Sequence, residues 1–367
     1  MKIVQILPEL NEGGVERGTI ELGRELTKKG FESIVISHGG KLVKQLKDEG
    51  STHVNFDVCS KNPFTAIWRV FGLKKILKRL NPDIVHVRSR VPAWLTYFAN
   101  KSLKIPLVST VHGLNSVNKY SEIMTKADKI ICVSEVVMNY IVKNYNADVN
   151  RLTVIQRGVD MNKFNPSNLD KEFIENFKLK FNLKDKFIIT SVGRITWLKD
   201  YETFIEAISI VKKTIPNVVG MIVGGVRKDK NNYFEELKTL TNKLNISEDI
   251  IFTGSQKQMP EIYYLSDVIV NASLKMGNVA RTVTEALAMN TPVIATTYEG
   301  LNDIVIDNKN GYIIKTTEPK DLANKIIKSY KNNFSNIRKN LNSEFTLNSL
   351  VESTIKIYRS LKKETYD

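Results

Sequence analysis

The residue order predicts an α/β protein made of two doubly wound domains of parallel strands. Three observations carry that expectation. Short apolar runs alternate with longer segments of helical period, the alternation stops at a polar stretch near the middle and then resumes, and 367 residues are about twice the usual length of one domain. Parallel strands joined by helices imply right-handed crossovers.

The chain opens with one Lys before an apolar run that ends at Pro8, which predicts a buried first strand over Lys2–Leu7 rather than a leader or a membrane span. Val15, Thr19, Leu22 and Leu26 then recur at helical spacing, and Gly30 stands where a glycine ends a helix. Strands are expected over Ser33–Ser37, His53–Phe56, Ile84–Val87, Leu107–Val111 and Lys129–Val133. Asn165-Pro166-Ser167-Asn168 reads as a linker. Beyond it strands are expected over Phe187–Val192, Val218–Val223, Ile250–Thr253, Val268–Asn271, Pro292–Thr296 and Tyr312–Ile314, with a last helix over about Leu347–Lys362. The expected organisation is thus a domain over 1–167, a second over 168–345, and a helix within 346–367 that can lie across the domain junction. A barrel is disfavoured because the linker interrupts the alternation.

Composition narrows the function classes. With 42% hydrophobic and 25% charged residues the chain is globular rather than disordered. Cys59 and Cys132 are its two cysteines and form no Cys-x-x-Cys pair, which disfavours a disulfide scaffold or structural zinc and fits a reducing cytoplasm. Lys and Arg number 54 against 39 Asp and Glu, a formal charge of +15, and residues 1–167 hold 25 of those cations against 15 acids. Such an excess favours an anionic partner: nucleic acid, an acidic lipid surface or a phosphorylated metabolite. No helix-turn-helix, zinc-finger or aromatic RNP pattern accompanies it, so nucleic acid is not an expected partner.

In open parallel sheets, ligands bind beyond the strand C-termini. The loop after the first strand runs Pro8-Glu9-Leu10-Asn11-Glu12-Gly13-Gly14-Val15-Glu16. Its paired glycines allow close backbone approach at a helix N-terminus, or merely turn the chain. The spacing matches neither a dinucleotide fingerprint nor a P-loop. In the second half, Ser191-Val192-Gly193-Arg194-Ile195-Thr196-Trp197-Leu198-Lys199-Asp200 places Arg194 and Lys199 near one strand end. Two cations there can clamp a diphosphate and stabilise charge on a departing phosphate, or be solvated surface charges.

Taken together, Gly13-Gly14-Val15-Glu16-Arg17, Asp83-Ile84-Val85-His86, Thr110-Val111-His112-Gly113, Val133-Ser134-Glu135, Arg157-Gly158-Val159-Asp160, Gly193-Arg194 with Lys199, and Glu285-Ala286-Leu287-Ala288-Met289 before Thr291-Pro292-Val293-Ile294-Ala295 resemble the GT-B glycosyltransferases of family four. The resemblance spans nearly the whole chain, and the combination and order of motifs are highly specific. It implies two Rossmann-like domains facing across a cleft, the first binding acceptor and the second a nucleotide sugar. It also implies retaining sugar transfer of hexosyltransferase type, on a branch that includes lipopolysaccharide and envelope-glycan enzymes. Gly13 and Gly14 would lie against the donor diphosphate and the entering acceptor, Gly193 with Arg194 and Lys199 would hold the pyrophosphate, and the backbone at Val279, Ala280 and Arg281 would meet the diphosphate. Glu285 would bind the ribose hydroxyls, against the alternative of an acid in a helix's first turn. His112 would face the donor sugar, against that of an interior histidine.

One departure stands out. The family pattern is Glu-x(7)-Glu, and Gly277 occupies the first acid's position while Glu285 keeps the second. Donor-sugar recognition is the property this touches, with Asn278 a possible amide substitute. No Asp-x-Asp occurs, so no metal and no cofactor beyond the donor co-substrate is expected. Expected partners are the nucleotide sugar, a glycan or glycolipid acceptor and an anionic membrane surface, the protein working in the cytoplasm or peripherally on the inner membrane face. In Ser60–Leu80, Phe64, Ile67, Trp68, Phe71 and Ile76 alternate with Arg69, Lys74, Lys75, Lys78 and Arg79. That is a basic amphipathic helix fit for anionic lipid, or a sheet-covering helix with a solvated cationic face. His38, His53 and His86 are too scattered for a metal site, while Trp94, Tyr97 and Phe98 read as core. Arg88 and Arg90 follow the fourth strand, where they could meet an anionic acceptor or lie on the surface. Two rival functions remain: a sugar-nucleotide epimerase of the same fold, and an inactive nucleotide-sugar-binding or scaffold protein.

Overall fold

The computed structural model describes residues 1–11, 13–226, 231–274, 281–296, 301, 304–315 and 317–363. By its internal contacts the chain divides into two units: Met1–Arg157 together with the stretch from Leu347 onward, and Gly158–Thr346 between them.

The first unit carries strands β1 (Lys2–Ile6), β2 (Glu32–Ser37), β3 (Thr52–Asn55), β4 (Ile84–Val87), β5 (Leu107–Val111), β6 (Lys129–Cys132) and β7 (Leu152–Val154). All pair in parallel, in the order β3-β2-β1-β4-β5-β6-β7. Helices α1 (Gly14–Lys28), α2 (Val43–Asp48), α3 (Pro63–Leu80), α4 (Arg90–Asn100), α5 (Lys119–Glu122) and α6 (Glu135–Tyr145) provide the crossovers. Strand side chains alternate between two cores: Val4, Ile6, Ile34, Ile36, Val85 and Val87 pack with Leu73 and Leu77 on one face, while Ile3, Ile84, Val108 and Ile131 pack with Leu22 and Leu26 on the other. Gly30 does end α1. Its φ of 79° opens the left-handed turn, with Phe31 N–H bonded to Leu26 C=O and Gly30 N–H to Thr27 C=O, each at 3.0 Å.

The second unit carries β8 (Phe187–Val192), β9 (Val218–Val223), β10 (Ile250–Gly254), β11 (Val268–Asn271), β12 (Val293–Thr296) and β13 (Gly311–Ile314), again all parallel, in the order β10-β9-β8-β11-β12-β13. Its helices are α7 (Lys171–Lys180), α8 (Tyr201–Val211), α9 (Asn231–Lys243), α10 (Met259–Leu265), α11 (Arg281–Ala288) and α12 (Pro319–Lys331). Ile174, Ile262, Tyr263 and Leu287 cover one sheet face, and Phe204, Ile208, Leu322 and Ile326 the other. After this sheet, α13 (Leu347–Lys363) returns to the first unit, where Leu347, Val351, Ile355 and Tyr358 join the core around Ile3 and Leu26.

Three expectations need correction. The short strand β7 was not foreseen: Leu152 and Val154 are only partly buried and Thr153 is exposed, so no apolar run marks it. Phe98 is exposed and Trp94 and Tyr97 only partly buried, so α4 contributes this aromatic face to the margin of the core rather than to its interior. On α3, Leu73 and Leu77 cover the sheet and Lys75, Lys78 and Arg79 are exposed, but Arg69 is buried rather than solvated, and Phe64, Ile67, Trp68 and Phe71 are exposed beside the cations.

Both sheets reverse strand order once, between β1 and β4 and between β8 and β11. A parallel sheet opens a crevice outside its carboxyl ends at such a point.

Candidate active site

In the second unit, the loops leaving β8 and β11 meet at the switch point. Leu274 N–H bonds Leu198 C=O at 3.0 Å, and Lys199 Nζ donates to Ser273 Oγ at 3.3 Å. Ser273 Oγ in turn donates to Asn271 Oδ1 at 2.7 Å. The loop packs closely at its glycines: a Cβ on Gly193 would stand 2.6 Å from Lys199 Cε, displacing that side chain, and a Cβ on Gly224, after β9, would collide with Gly193 C=O. The Gly193 carbonyl accepts from Tyr201 Oη at 2.6 Å.

Lys199 is thereby folded back over its own strand end, beside Arg194. Burial first, and the Arg194 charge second, push the Lys199 ammonium below the usual lysine range. Neighbouring Asp200 does not relieve this, because its carboxylate caps α8 through Thr203 N–H. Among the described residues no carboxylate forms an ion pair with Arg194 or Lys199. Two like charges held together with no acid between them are an electrostatic deficit that an anion would fill.

Glu285 stands one turn beyond Arg281 on α11 and is buried. It is therefore not the first-turn acid of the alternative reading. Its Oε2 accepts from Tyr263 Oη at 2.8 Å and its Oε1 from Arg281 Nε at 3.3 Å. The carboxylate is thus oriented from two sides. Val279 and Ala280, like Gly277 and Asn278, lie outside the described residues.

The first unit builds a second polar centre at the ends of β1, β4 and β5. Arg88, buried, donates through Nη1 to Gln5 Oε1 at 2.8 Å, and burial pushes its guanidinium down to about 10. His86, also buried, is held by Tyr358 Oη on Nδ1 at 2.6 Å and by Thr110 Oγ1 on Nε2 at 2.7 Å. His112 follows two residues after Thr110, and Arg157 Nη2 donates to its carbonyl at 3.2 Å. Burial, then the charges of Arg88 and Arg157, hold the His112 imidazole well below the ordinary histidine range. At neutral pH it is an uncharged ring, suited to accept or donate one hydrogen bond. At the N-terminus of α1 the Glu16 carboxylate folds over Gly13, where it would collide with a Cβ. A negative group thus already occupies that helix end.

Comparison with known proteins places this geometry. The chain matches the family model "Glycosyltransferase Family 4" over residues 12–163 and "Glycosyl transferases group 1" over 173–345. A glycosyltransferase crystal structure from Rickettsia africae is 30% identical, superposes with a TM-score of 0.89, and is matched over 98% of each chain. The chain is a GT-B glycosyltransferase of the family-four type. An Escherichia coli relative of this glycosyltransferase, named UDP-Gal:α-D-GlcNAc-diphosphoundecaprenol α-1,3-galactosyltransferase, is 25% identical over 343 residues, 89% of this chain and 86% of its own. Anabaena HepE, solved with UDP, shares the fold at a TM-score of 0.85 and 18% identity, over 98% of this chain and 100% of its own.

Within the glycosyltransferase, then, one unit brings together Gly193, Arg194 and Lys199, and orders Glu285 with Arg281. The other gathers His112 with Arg88 and Arg157. Sequence reasoning missed Tyr263 and Tyr358, single aromatics in helices whose partners are distant in sequence. It also missed His38, Asp57 and Cys59, whose ligand atoms lie within 4.8 Å of one another after β2 and β3. Comparing histidines only with histidines hid that group. Asp57 there already accepts from Cys59 and Ser60 N–H and faces Arg69 Nε at 3.9 Å, so its charge is met without a metal.

Proposed function

We propose that this glycosyltransferase moves a hexose from a nucleoside diphosphate donor, with retention of anomeric configuration and without a metal ion, onto an envelope-glycan or lipid-linked acceptor. The single observation carrying the donor side is the Arg194–Lys199 pair, set at the β8/β11 switch point with no ion-paired acid among the described residues. A diphosphate fits that deficit, and as the sugar–phosphate bond breaks the pair would stabilise the growing charge on the leaving group. Gly193 gives the backbone close approach, Glu285 would take the ribose hydroxyls, and the backbone at Val279, Ala280 and Arg281 would complete the diphosphate contacts.

His112, neutral and close to two arginines, would hydrogen-bond the donor sugar rather than carry its proton. In this same-face reaction the acceptor hydroxyl oxygen bonds to the anomeric carbon, the bond to phosphate breaks, and the hydroxyl proton passes to a donor phosphate oxygen. Gly13 and Gly14 would border the acceptor. With Glu16 folded over that helix end, a hydroxylated acceptor group is the better fit there than a second phosphate. The E. coli relative's name supports a UDP-sugar and a polyprenyl-diphosphate-linked acceptor; on this reading the acceptor would be met at the inner, cytoplasmic face of the membrane.

The test is direct. UDP-, GDP- and ADP-linked sugars are screened by thermal shift in EDTA, the stabilising donor is offered to lipid-linked glycans, and the product's anomeric configuration is read by NMR. Transfer with retention in chelator is the expected result. Inversion or loss of turnover in EDTA would overturn the mechanism. A donor bound but never turned over would mark a binding protein, and a new sugar nucleotide formed without acceptor an epimerase.

A further inference from the structure

Helix α3 has two apolar faces, and the fold uses only one of them. On the inner side Leu73 and Leu77 are fully buried in the core, Gly72 presses against the Phe56 ring, and Arg69 is locked by Nη1 to Ser60 C=O at 2.8 Å and Nη2 to Asn62 C=O at 2.9 Å. Asn62 caps the helix by accepting Phe64 N–H at 2.9 Å. On the opposite side Phe64, Ile67, Trp68 and Phe71, at helical spacings of three and four, are 87%, 59%, 74% and 60% exposed. That same stripe continues at the same spacing into Lys75, Lys78 and Arg79, all exposed. From Lys61 to Leu80 the chain contains no Asp or Glu.

We infer that this face docks the protein on an anionic lipid surface, with Phe64, Ile67, Trp68 and Phe71 entering the headgroup–acyl boundary and Lys75, Lys78 and Arg79 meeting lipid phosphates. Four large apolar side chains in one row are costly in water and are not scattered singly over the surface. A helix apolar on one face and cationic farther along it suits the membrane interface, where Trp and Phe rest at headgroup depth. Eighteen residues lie flat over about 27 Å, and no helix among the described residues is long and apolar enough to span a bilayer. The occupant is a lipid surface rather than a second copy of this chain, since a copy would bring the same acid-free cations and no charge to neutralise them. The inner side, fixed by Arg69 and the Asn62 cap, holds the helix rigid before contact, so docking needs little ordering. The face stands on its own geometry; only its purpose, presenting the protein to a lipid-linked acceptor, rests on the proposed function.

The experiment is sedimentation of the full chain with vesicles of phosphatidylcholine alone or with phosphatidylglycerol, without donor or acceptor. Wild type is expected to bind the anionic vesicles selectively. Trp68→Ser with Phe71→Ser should lower partitioning about tenfold for each aromatic, and Lys75→Gln with Lys78→Gln about fivefold for each cation. These positions are solvent-exposed, so the variants should keep wild-type melting temperature and wild-type nucleotide affinity. Nucleotide binding therefore reports the proposed function separately from docking. Equal binding by variants and wild type would overturn the inference, as would no wild-type binding to anionic vesicles. So would a wild-type dimer, seen by light scattering, that the aromatic variants convert to monomers, since that makes a second copy the occupant.

Discussion

Lys199 offers a test in which affinity and stability should move in opposite directions. Its side chain lies against Gly193, its ammonium is bonded among the described residues to the Ser273 hydroxyl, and it is repelled by Arg194. Replacing it by Gln removes one charge-assisted contact to a diphosphate, worth about 1.5–3 kcal/mol, or about 10- to 150-fold in Kd. Arg194 is exposed, so Arg194→Gln belongs at the lower end, while Lys199→Gln belongs higher. In the unliganded protein, however, Lys199→Gln relieves a desolvated cation held beside another cation. Its melting temperature should therefore stay level or rise. The proton adds a second handle. With its folded pKa below the ordinary value, Lys199 discharges earlier as pH rises, so nucleoside diphosphate affinity should fall at a lower pH than an ordinary lysine would give. Removing Arg194 should shift that fall upward. Titration calorimetry with UDP, GDP and ADP in EDTA, paired with melting curves of the free proteins, reads all of this. If both variants kept wild-type affinity for every nucleotide, the pair would not be the phosphate clamp. If affinity fell only together with stability, the residues would be structural.

Three more predictions follow from the two polar centres. Tyr263→Phe takes a buried donor from Glu285 Oε2 and should cost about 1–3 kcal/mol by urea unfolding, with weaker nucleoside binding than nucleoside-free pyrophosphate would suffer. Arg88→Gln removes one of the charges that hold the His112 pKa down, so an NMR titration of that ring should move upward. His86 has a folded pKa well below its ordinary 6.5. Above 6.5 its stabilising contribution is complete. As pH falls below 6.5 the unfolded chain takes up a proton that the folded ring refuses, and stability is lost down to the folded pKa. His86→Gln should flatten that part of the urea-midpoint profile against pH.

Much of the architecture was legible because parallel strands buried on both faces need continuous runs such as Ile84-Val85-His86-Val87 or Val218–Val223, and such runs survive in one dimension. The exception, β7, pairs β6 through only Leu152, Thr153 and Val154, too short to build a run. The nearness of Arg194 and Lys199 was legible because one short segment after β8 holds both. Tyr263 and Tyr358 were not, because each acquires its role only when a helix from elsewhere sets its hydroxyl against Glu285 or His86.

The α3 face shows how a pattern can hide itself. Helical periodicity is visible when one side is apolar and the other polar. On α3 Leu73 and Leu77 serve the core while Phe64, Trp68 and Phe71 occupy the opposite side, so apolar residues fall at nearly every angle and the contrast vanishes. Lys75, Lys78 and Arg79 do lie on the outer face, and in the sequence Arg69 looks like one of them. Only the packing separates the two sets, because Arg69 spends its guanidinium on Ser60 and Asn62 carbonyls inside. A helix with apolar residues all round is normally enclosed; one that leaves half of them in water, with no Asp or Glu of its own, has a face shaped for something other than its own core.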